Sequence, residues 1–360
     1  MSLFKKIFSS KESSPKVPKG FFSIKVAAVT QITEDTVEVQ LDIPENLKND
    51  FKFIPGQYLN FSIQINGKEE RRSYSICSAK NELLSVAIKE IENGKISSWF
   101  NHELKAGDSL FVAHPSGNFL LKEEKTVVGI AAGSGITPIL AYAKAIEADS
   151  NKSMHLFYGN KNEKNIPFKS AIDGLKSIKT KYYLSQEEKD GFGHGRINKE
   201  SFISELKANL ELLKSDGFFI CGPEDMIFEI KDVLTEFGVD ESKIHYELFT
   251  TPTKQHSESK VVESNFVGMS RVKVILEDET FEFELDAKGR TILEKVDIEG
   301  ADAPYSCRGG VCSTCKGKIL KGQATMTLNY SLTEKEVEEG YILTCQAHPA
   351  SEELIITYDI

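Results

Sequence analysis

No stretch of the 360 residues approaches 18 consecutive apolar positions, so no membrane-spanning helix is encoded. The opening Met1-Ser-Leu-Phe-Lys-Lys-Ile-Phe-Ser-Ser lacks the apolar run of a secretory signal, and the expected compartment is the cytoplasm. Basic charge is not in excess either. The formal net charge of −10 argues against a nucleic-acid partner, which would want a basic face. There is no internal repeat and no long low-complexity tract. No paired Glu-x-x-His motif occurs, which excludes a di-iron bundle within this chain. Cysteine is scarce, at six residues, but four of the six are not scattered.

Cys307, Cys312, Cys315 and Cys345 stand at C-x4-C-x2-C followed by 29 residues and a last Cys, the plant-type ligand spacing of a [2Fe–2S] cluster. Gly309, Gly310 and the small hydroxyl residues of this loop, Ser306, Ser313 and Thr314, let backbone N–H groups approach the sulfurs. A structural zinc site competes for C-x2-C, but such sites pair two close units and only one is present. A Rieske centre needs two histidines, and none lies within 307–315; His348 stands alone near Cys345. Cys77 and Cys221 remain, and a lone cysteine reads first as a small buried apolar residue.

The length exceeds one hydrophobic core, and composition shifts predict three domains. Residues 1–19 form a Ser/Lys/Pro-rich leader expected to be disordered. Residues 20–123 alternate apolar and polar positions between Pro-Gly, Asn-Gly and Ala-Gly-Asp turns, which predicts an antiparallel β-barrel. Over 124–250, apolar strands such as Val127-Val-Gly-Ile-Ala-Ala, Met154-His-Leu-Phe-Tyr and Gly217-Phe-Phe-Ile-Cys alternate with helical stretches at 137–148 and 224–237, the pattern of a doubly wound parallel α/β nucleotide-binding domain. A polar linker, 251–268, leads to 269–360, where a predicted hairpin at 271–285, a helix near 291–297 and the cysteine loop suggest a β-grasp domain. Residues 271–360 carry 17 acidic against 10 basic side chains, which serves solubility or steers the domain to a basic partner.

Three sites carry chemistry. At the strand-to-helix junction Gly133-Ser134-Gly135-Ile136-Thr137-Pro138, glycines permit close approach of a pyrophosphate to a helix N-terminus, with Thr137 expected as N-cap and Pro138 as the first helical residue. Pro138 replaces the third glycine of the usual dinucleotide fingerprint. On the extended strand Arg71-Arg72-Ser73-Tyr74-Ser75, an Arg two residues before a Tyr places a guanidinium and a ring on one face, for a phosphate and a planar ligand; the competing reading is an exposed charged edge. Cys221-Gly222-Pro223 ends an apolar strand at its carboxyl tip, where open α/β sheets bind ligands.

Together these motifs resemble the ferredoxin–NADP reductase superfamily over about 20–360, in the members that carry flavin and nicotinamide domains first and a plant-type ferredoxin domain last. The resemblance implies FAD on Arg72, Ser73, Tyr74 and Ser75, with Arg72 on the pyrophosphate, Tyr74 against the isoalloxazine and Ser75 near flavin N5. It implies a second FAD stretch at Val86, Ala87, Ile88 and Lys89 with Gly94, Lys95, Ile96 and Ser97. It places NADPH or NADH on Gly133, Ser134, Gly135, Ile136, Thr137, Pro138, Cys221, Gly222 and Pro223, with Lys161, Ser185, Gln186 and Arg196 at the adenosine half. Glu247 and Phe249 match the end of the reductase module, and Tyr74, Ser75, Cys221 and Glu247 are the implied catalytic set. Lys161 stands where relatives often carry Arg, whose two-pronged geometry Lys cannot copy, so the choice between NADPH and NADH stays open.

The implied acceptor is a di-iron oxygenase subunit, since the motifs are similar to those of reductase components serving the epoxidation of the phenylacetyl-CoA ring. Another ring-modifying oxygenase, or a hybrid-cluster protein, is the alternative acceptor. A redox sensor or a zinc-stabilised binding module is the alternative of another class.

Overall fold

Strand alternation over the first segment, 20–123, produces six antiparallel strands: β1 (Phe21–Thr33), β2 (Thr36–Asp42), β3 (Tyr58–Ile65), β4 (Lys68–Ser75), β5 (Ser85–Lys89) and, after helix α1 (Lys95–His102), β6 (Ser109–Ala113). The computed structural model describes residues 17–65, 67–253, 264–277 and 279–360; most of the expected leader and 254–263 of the expected linker lie outside the described residues. The strands run in the order β4-β3-β6-β1-β2-β5. The two ends meet where Ile76 bridges Val86 and the Cys77 N–H donates to the Ser85 carbonyl at 3.0 Å, so the sheet curls into a barrel. Ile24, Val39, Leu59, Phe61, Ile76 and Val86 fill its interior, and α1 adds Ile96 and Phe100. Burying each such side chain contributes about 1.5–3 kcal/mol.

The next segment alternates β7 (Thr126–Ala132), α2 (Ile136–Glu147), β8 (Ser153–Asn160), α3 (Lys169–Asp173), β9 (Ile178–Leu184), β10 (Gly193–His194), α4 (Lys199–Ala208), β11 (Gly217–Cys221), α5 (Glu224–Glu236) and β12 (Ile244–Glu247). The sheet is parallel throughout, ordered β10-β9-β8-β7-β11-β12. Chain direction across the sheet reverses between β7 and β11, which leaves the ligand-accepting crevice at their carboxyl ends. Helix α2 begins at Ile136, two residues before the expected first residue Pro138: Gly135 is its N-cap, and Thr137 instead donates its hydroxyl to the Ser134 carbonyl at 3.0 Å. A one-turn 3-10 segment, Gly133–Gly135, feeds straight into the helix, and Pro138 fits because the N–H it lacks would have no intrahelical partner there.

The last segment comprises β13 (Met269–Leu276), β14 (Glu279–Asp286), α6 (Ile292–Ile298), β15 (Lys316–Lys321), β16 (Ala324–Met326), α7 (Glu334–Glu338), β17 (Tyr341–Leu343), β18 (Ala347–Pro349) and β19 (Glu353–Thr357). A mixed sheet ordered β14-β13-β19-β15-β17, with β13 parallel to β19, is covered by α6 in a β-grasp arrangement. Thr291 and Glu294 form a reciprocal capping box at the start of α6, whose Ile292, Leu293 and Val296 are buried.

The three segments share packed seams. Between barrel and α/β sheet, the Tyr142 hydroxyl donates to the Phe119 carbonyl and both rings pack on Phe219. The cysteine loop is wedged against both neighbours. Val311 joins the apolar cluster of Phe228 and Leu248 on the α/β side, while Tyr58 and Asn60 on β3 hydrogen-bond the Thr314 hydroxyl at 3.1 and 3.2 Å on the barrel side.

Candidate functional site

The loop 306–315 leaves β-grasp secondary structure and is held by its own backbone. Arg308 and Gly310 adopt left-handed φ values of +53° and +75°, and Gly310 has the Leu328 carbonyl 3.1 Å from where a Cβ would stand, so the turn requires glycine there. The four thiols gather in two pairs. Cys307 and Cys312 lie 3.1 Å apart, and Cys315 adjoins Cys345. The Cys307 thiol is pushed down by the hydrogen bond from Cys312 and by backbone N–H groups, including Gly309 at 3.3 Å, while Cys312 is pushed up by the same pairing and by burial. Among the described residues no three His, Cys, Asp or Glu side chains converge on one ion position. Two thiol pairs suit two iron atoms bridged by sulfide better than one tetrahedral zinc, so the donor set fits a [2Fe–2S] cluster.

Beside this loop opens a cleft of about 630 Å³, bounded by all three segments. The barrel contributes Tyr58 and the β4 residues Arg72, Ser73 and Ser75, the end of the α/β segment contributes Glu247 to Thr251, and the cysteine loop contributes Tyr305 to Arg308 with Val311 and Cys312. Its size and its mixture of aromatic walls with a few convergent polar groups suit a large planar cofactor such as a flavin. The strand register explains the grouping. Tyr58 and Asn60 on β3 face Ser75 and Ser73 on β4, and Cys221 on β11 faces Glu247 on β12. Ser75 donates to the Glu247 carboxyl at 3.3 Å across the seam. Burial pushes the Glu247 carboxyl up to about 8, and burial with the neighbouring Glu247 pushes the Cys221 thiol well above its ordinary range. Near neutral pH this corner is therefore mostly uncharged.

The glycine junction and the Cys221 turn come together directly. A Cβ on Gly135 would lie 2.1 Å from the Cys221 carbonyl oxygen and 2.9 Å from the Gly222 nitrogen, so this contact exists only because residue 135 has no side chain. Lys161, Ser185 and Gln186 extend the same edge: the Ser185 and Gln186 N–H groups donate to the Asn160 and Lys161 carbonyls beyond the ends of β8 and β9. Arg196 is exposed just after β10. The cradle fits a dinucleotide lying across the carboxyl ends of the strands.

Other expected residues lie elsewhere. Val86 and Ile88 point into the barrel core, Ala87 packs on the α/β side, and all three are laddered to β2, so they offer a ligand no side chain. Lys89 is paired with Asp35 at 2.7 Å. Gly94 caps α1, Lys95 begins it exposed, Ile96 is core, and the Ser97 hydroxyl ties the turn by donating to the Gly94 carbonyl and accepting from the Ile91 N–H. Tyr74 does not line the cleft; its ring packs on Phe61 and Phe100 at 5.9 and 5.4 Å. Phe249 does line it and is 42% exposed. Tyr58, Arg71 and Tyr305 line the cleft without having been expected to. The register of β3 against the Arg-x-Tyr-Ser strand was the signal for Tyr58, and proximity to Cys307 was the signal for Tyr305.

Comparison with known proteins agrees with this geometry. Residues 23–120 match the oxidoreductase FAD-binding domain family, 130–232 the oxidoreductase NAD-binding domain family and 274–350 the 2Fe-2S iron-sulfur cluster binding domain family. The chain is 35% identical over 351 residues to a component of the 1,2-phenylacetyl-CoA epoxidase of Escherichia coli (strain K12), covering 94% of this chain and 98% of that protein. It is 27% identical over 353 residues to the ferredoxin reductase component of 3-ketosteroid-9-alpha-monooxygenase from Rhodococcus rhodochrous, covering 95% and 99%. Its fold superposes on phthalate dioxygenase reductase with a TM-score of 0.58 at 24% identity, over 94% of this chain and 98% of that one. No helix among the described residues is long and apolar enough to cross a membrane.

Proposed function

The chain belongs to the ferredoxin–NADP reductase superfamily, in the group that carries a C-terminal [2Fe–2S] domain, and from that premise we propose that it is the cytoplasmic reductase of a phenylacetyl-CoA epoxidase system, delivering electrons to a di-iron oxygenase subunit. The protein is an NAD(P)H-dependent oxidoreductase whose cofactors are FAD and a [2Fe–2S] cluster. Nicotinamide gives up two electrons as hydride and the cluster accepts one, so FAD supplies the conversion between them. The observation that carries the choice of partner is the 35% identity sustained over nearly the whole of both chains.

In this reading the three units are 20–123, 124–250 and 269–360, joined by 251–268. Arg72, Ser73 and Ser75 line the flavin side of the cleft with Phe249. The contact of Gly135 with Cys221 and Gly222 shapes the nicotinamide side, and Lys161, Ser185, Gln186 and Arg196 take the adenosine half. Glu247 and Ser75 hold a proton at the seam, where a neutral carboxyl avoids placing a negative charge beside an incoming hydride. Cys307, Cys312, Cys315 and Cys345 hold the cluster, and Tyr58 and Asn60 keep its loop against the barrel.

The test is reconstitution of the purified reductase, carrying about two irons and one FAD, with the epoxidase oxygenase. NADPH and NADH are supplied in turn, and epoxidation of phenylacetyl-CoA is followed. Product formed with either nucleotide supports the reading and gives the nucleotide preference. A reductase whose cluster is reduced by NAD(P)H but that supports no epoxidation, while supporting turnover of a different oxygenase, would replace the proposed partner.

A further inference from the structure

Arg71 precedes the Arg-x-Tyr-Ser strand motif and differs sharply from its neighbour. The Arg72 side chain is 49% exposed, whereas that of Arg71 is 2% exposed. A guanidinium cannot shed its charge, and burying it costs several kcal/mol unless paired and hydrogen-bonded groups offset the loss of water. The Arg71 partners come from two domains. On the barrel, its Nε donates to Glu69 Oε1 at 2.5 Å and its plane lies 5.0 Å from the Phe21 ring. On the cluster domain, Nη2 donates to Asp302 Oδ1 at 2.5 Å, Nη1 to the Ala303 carbonyl at 3.4 Å, and the plane lies 4.6 Å from the Tyr305 ring.

We propose that Arg71 is a positioning residue for electron entry into the cluster: it clamps the segment from Asp302 to Cys307 against the wall of the flavin cleft. Every contact on the cluster side falls within four residues, 302–305, and two positions later the chain reaches Cys307. The clamp is reinforced on both flanks. The Lys19 N–H donates to Asp302 Oδ2 at 3.0 Å, the Ser73 and Ser306 hydroxyls meet at 2.7 Å, and the Arg308 guanidinium lies 3.9 Å from the Tyr305 ring centroid while pairing with Asp297. The Tyr305 ring thus packs on two guanidinium groups, one from each domain.

Removing one member of this set does not simply subtract a contact. Without Arg71, the Glu69 and Asp302 carboxylates are left at one seam without their shared cation, and like charges there favour opening. Without Asp302, Arg71 keeps its barrel partners and the barrel is undisturbed, but the cluster segment loses its charged anchor. The inference rests on the assignment of Cys307 to the cluster and on the flavin-to-cluster route. It is read with no oxygenase present, so it stands or falls separately from the choice of external acceptor.

The experiment uses the full-length holoprotein with Asp302→Asn and Asp302→Ala, mixed anaerobically with NADPH while flavin and cluster absorbance are followed separately. The expected result is flavin reduction unchanged within about twofold, with cluster reduction slowed about tenfold or more, as fits a buried guanidinium losing one of its two carboxylate partners. Amide exchange over 302–306 should accelerate in both variants, and Arg71→Lys, which keeps charge but not the fork, should show the same exchange defect in milder form. Unchanged cluster reduction with unchanged exchange overturns the clamp. So does an equal slowing of flavin and cluster, or loss of flavin from both Asp302 variants, because either would place Asp302 in support of the barrel instead of the seam.

Discussion

Ser75 of the barrel and Glu247 of the parallel sheet meet across a domain seam, the Ser75 hydroxyl donating to Glu247 Oε2 at 3.3 Å. The contact brings together two residues 172 positions apart in sequence, and a half-buried carboxyl in the cleft wall has this hydroxyl as its stabilising partner.

The Glu247 environment has a measurable pH signature. Its carboxyl is raised from the ordinary 4.5 to about 8 by burial, so between those limits the folded protein retains a proton that the unfolded chain has released. Stability therefore falls as pH rises through that window, by up to about 1.4 kcal/mol per pH unit from this group, and levels off above it. Glu247→Gln removes the effect. In chemical denaturation, the variant should gain on the parent steadily from about pH 5 to about pH 8. A stability difference that does not change with pH would show that Glu247 titrates normally.

The approach of Gly135 to the Cys221 turn leaves no room for a methyl group. In Gly135→Ala the new Cβ would meet the Cys221 carbonyl at 2.1 Å, with backbone on both sides of the contact. A loss of about 1–3 kcal/mol in stability is expected from such overpacking. Displacement of the two halves of the nucleotide cradle should also weaken NADP binding about tenfold, or 1.4 kcal/mol. Thermal unfolding and nucleotide titration check both, and parent-like values in the two measurements would contradict the contact.

Cluster and flavin should be separable by single substitutions at the thiols. Cys312→Ser and Cys345→Ser are each expected to purify without stoichiometric iron and without cluster absorbance, because each breaks one of the two thiol pairs. FAD content should stay at the parent level, and reduction of a small dye by NAD(P)H should persist, since neither step needs the cluster. Iron retained at the parent stoichiometry in both variants would remove these residues from the ligand set.

Much of the architecture was legible because the local patterns are strong. The shift from alternating runs to apolar strands with intervening helices marks the passage from barrel to parallel sheet, and the cysteine spacing places the metal-binding loop in the last segment. The start of α2 was displaced because a 3-10 turn of Gly133–Gly135 takes over the capping role expected of Thr137. The site was legible in parts. Arg72, Ser73, Ser75, Glu247 and Phe249 do share one cleft, but Val86 and Ile88 are committed to the barrel core and Tyr74 packs on Phe100. Arg71 was invisible as a distinct element, since two adjacent arginines look alike on paper and only a partner 231 positions away tells them apart.

Val311 of the cysteine loop reaches into the apolar cluster of the parallel-sheet segment, beside Phe228 and Leu248, with Cys307 packed against its edge. The modules are thus not beads on a string that can be cut apart at the connecting segment. A truncated chain ending near residue 253 would carry an open greasy socket where Val311 had been, a surface inclined to self-association. Anyone grafting a different cluster module onto this scaffold inherits a matching requirement: the replacement loop must bring its own aliphatic plug of about the size of valine.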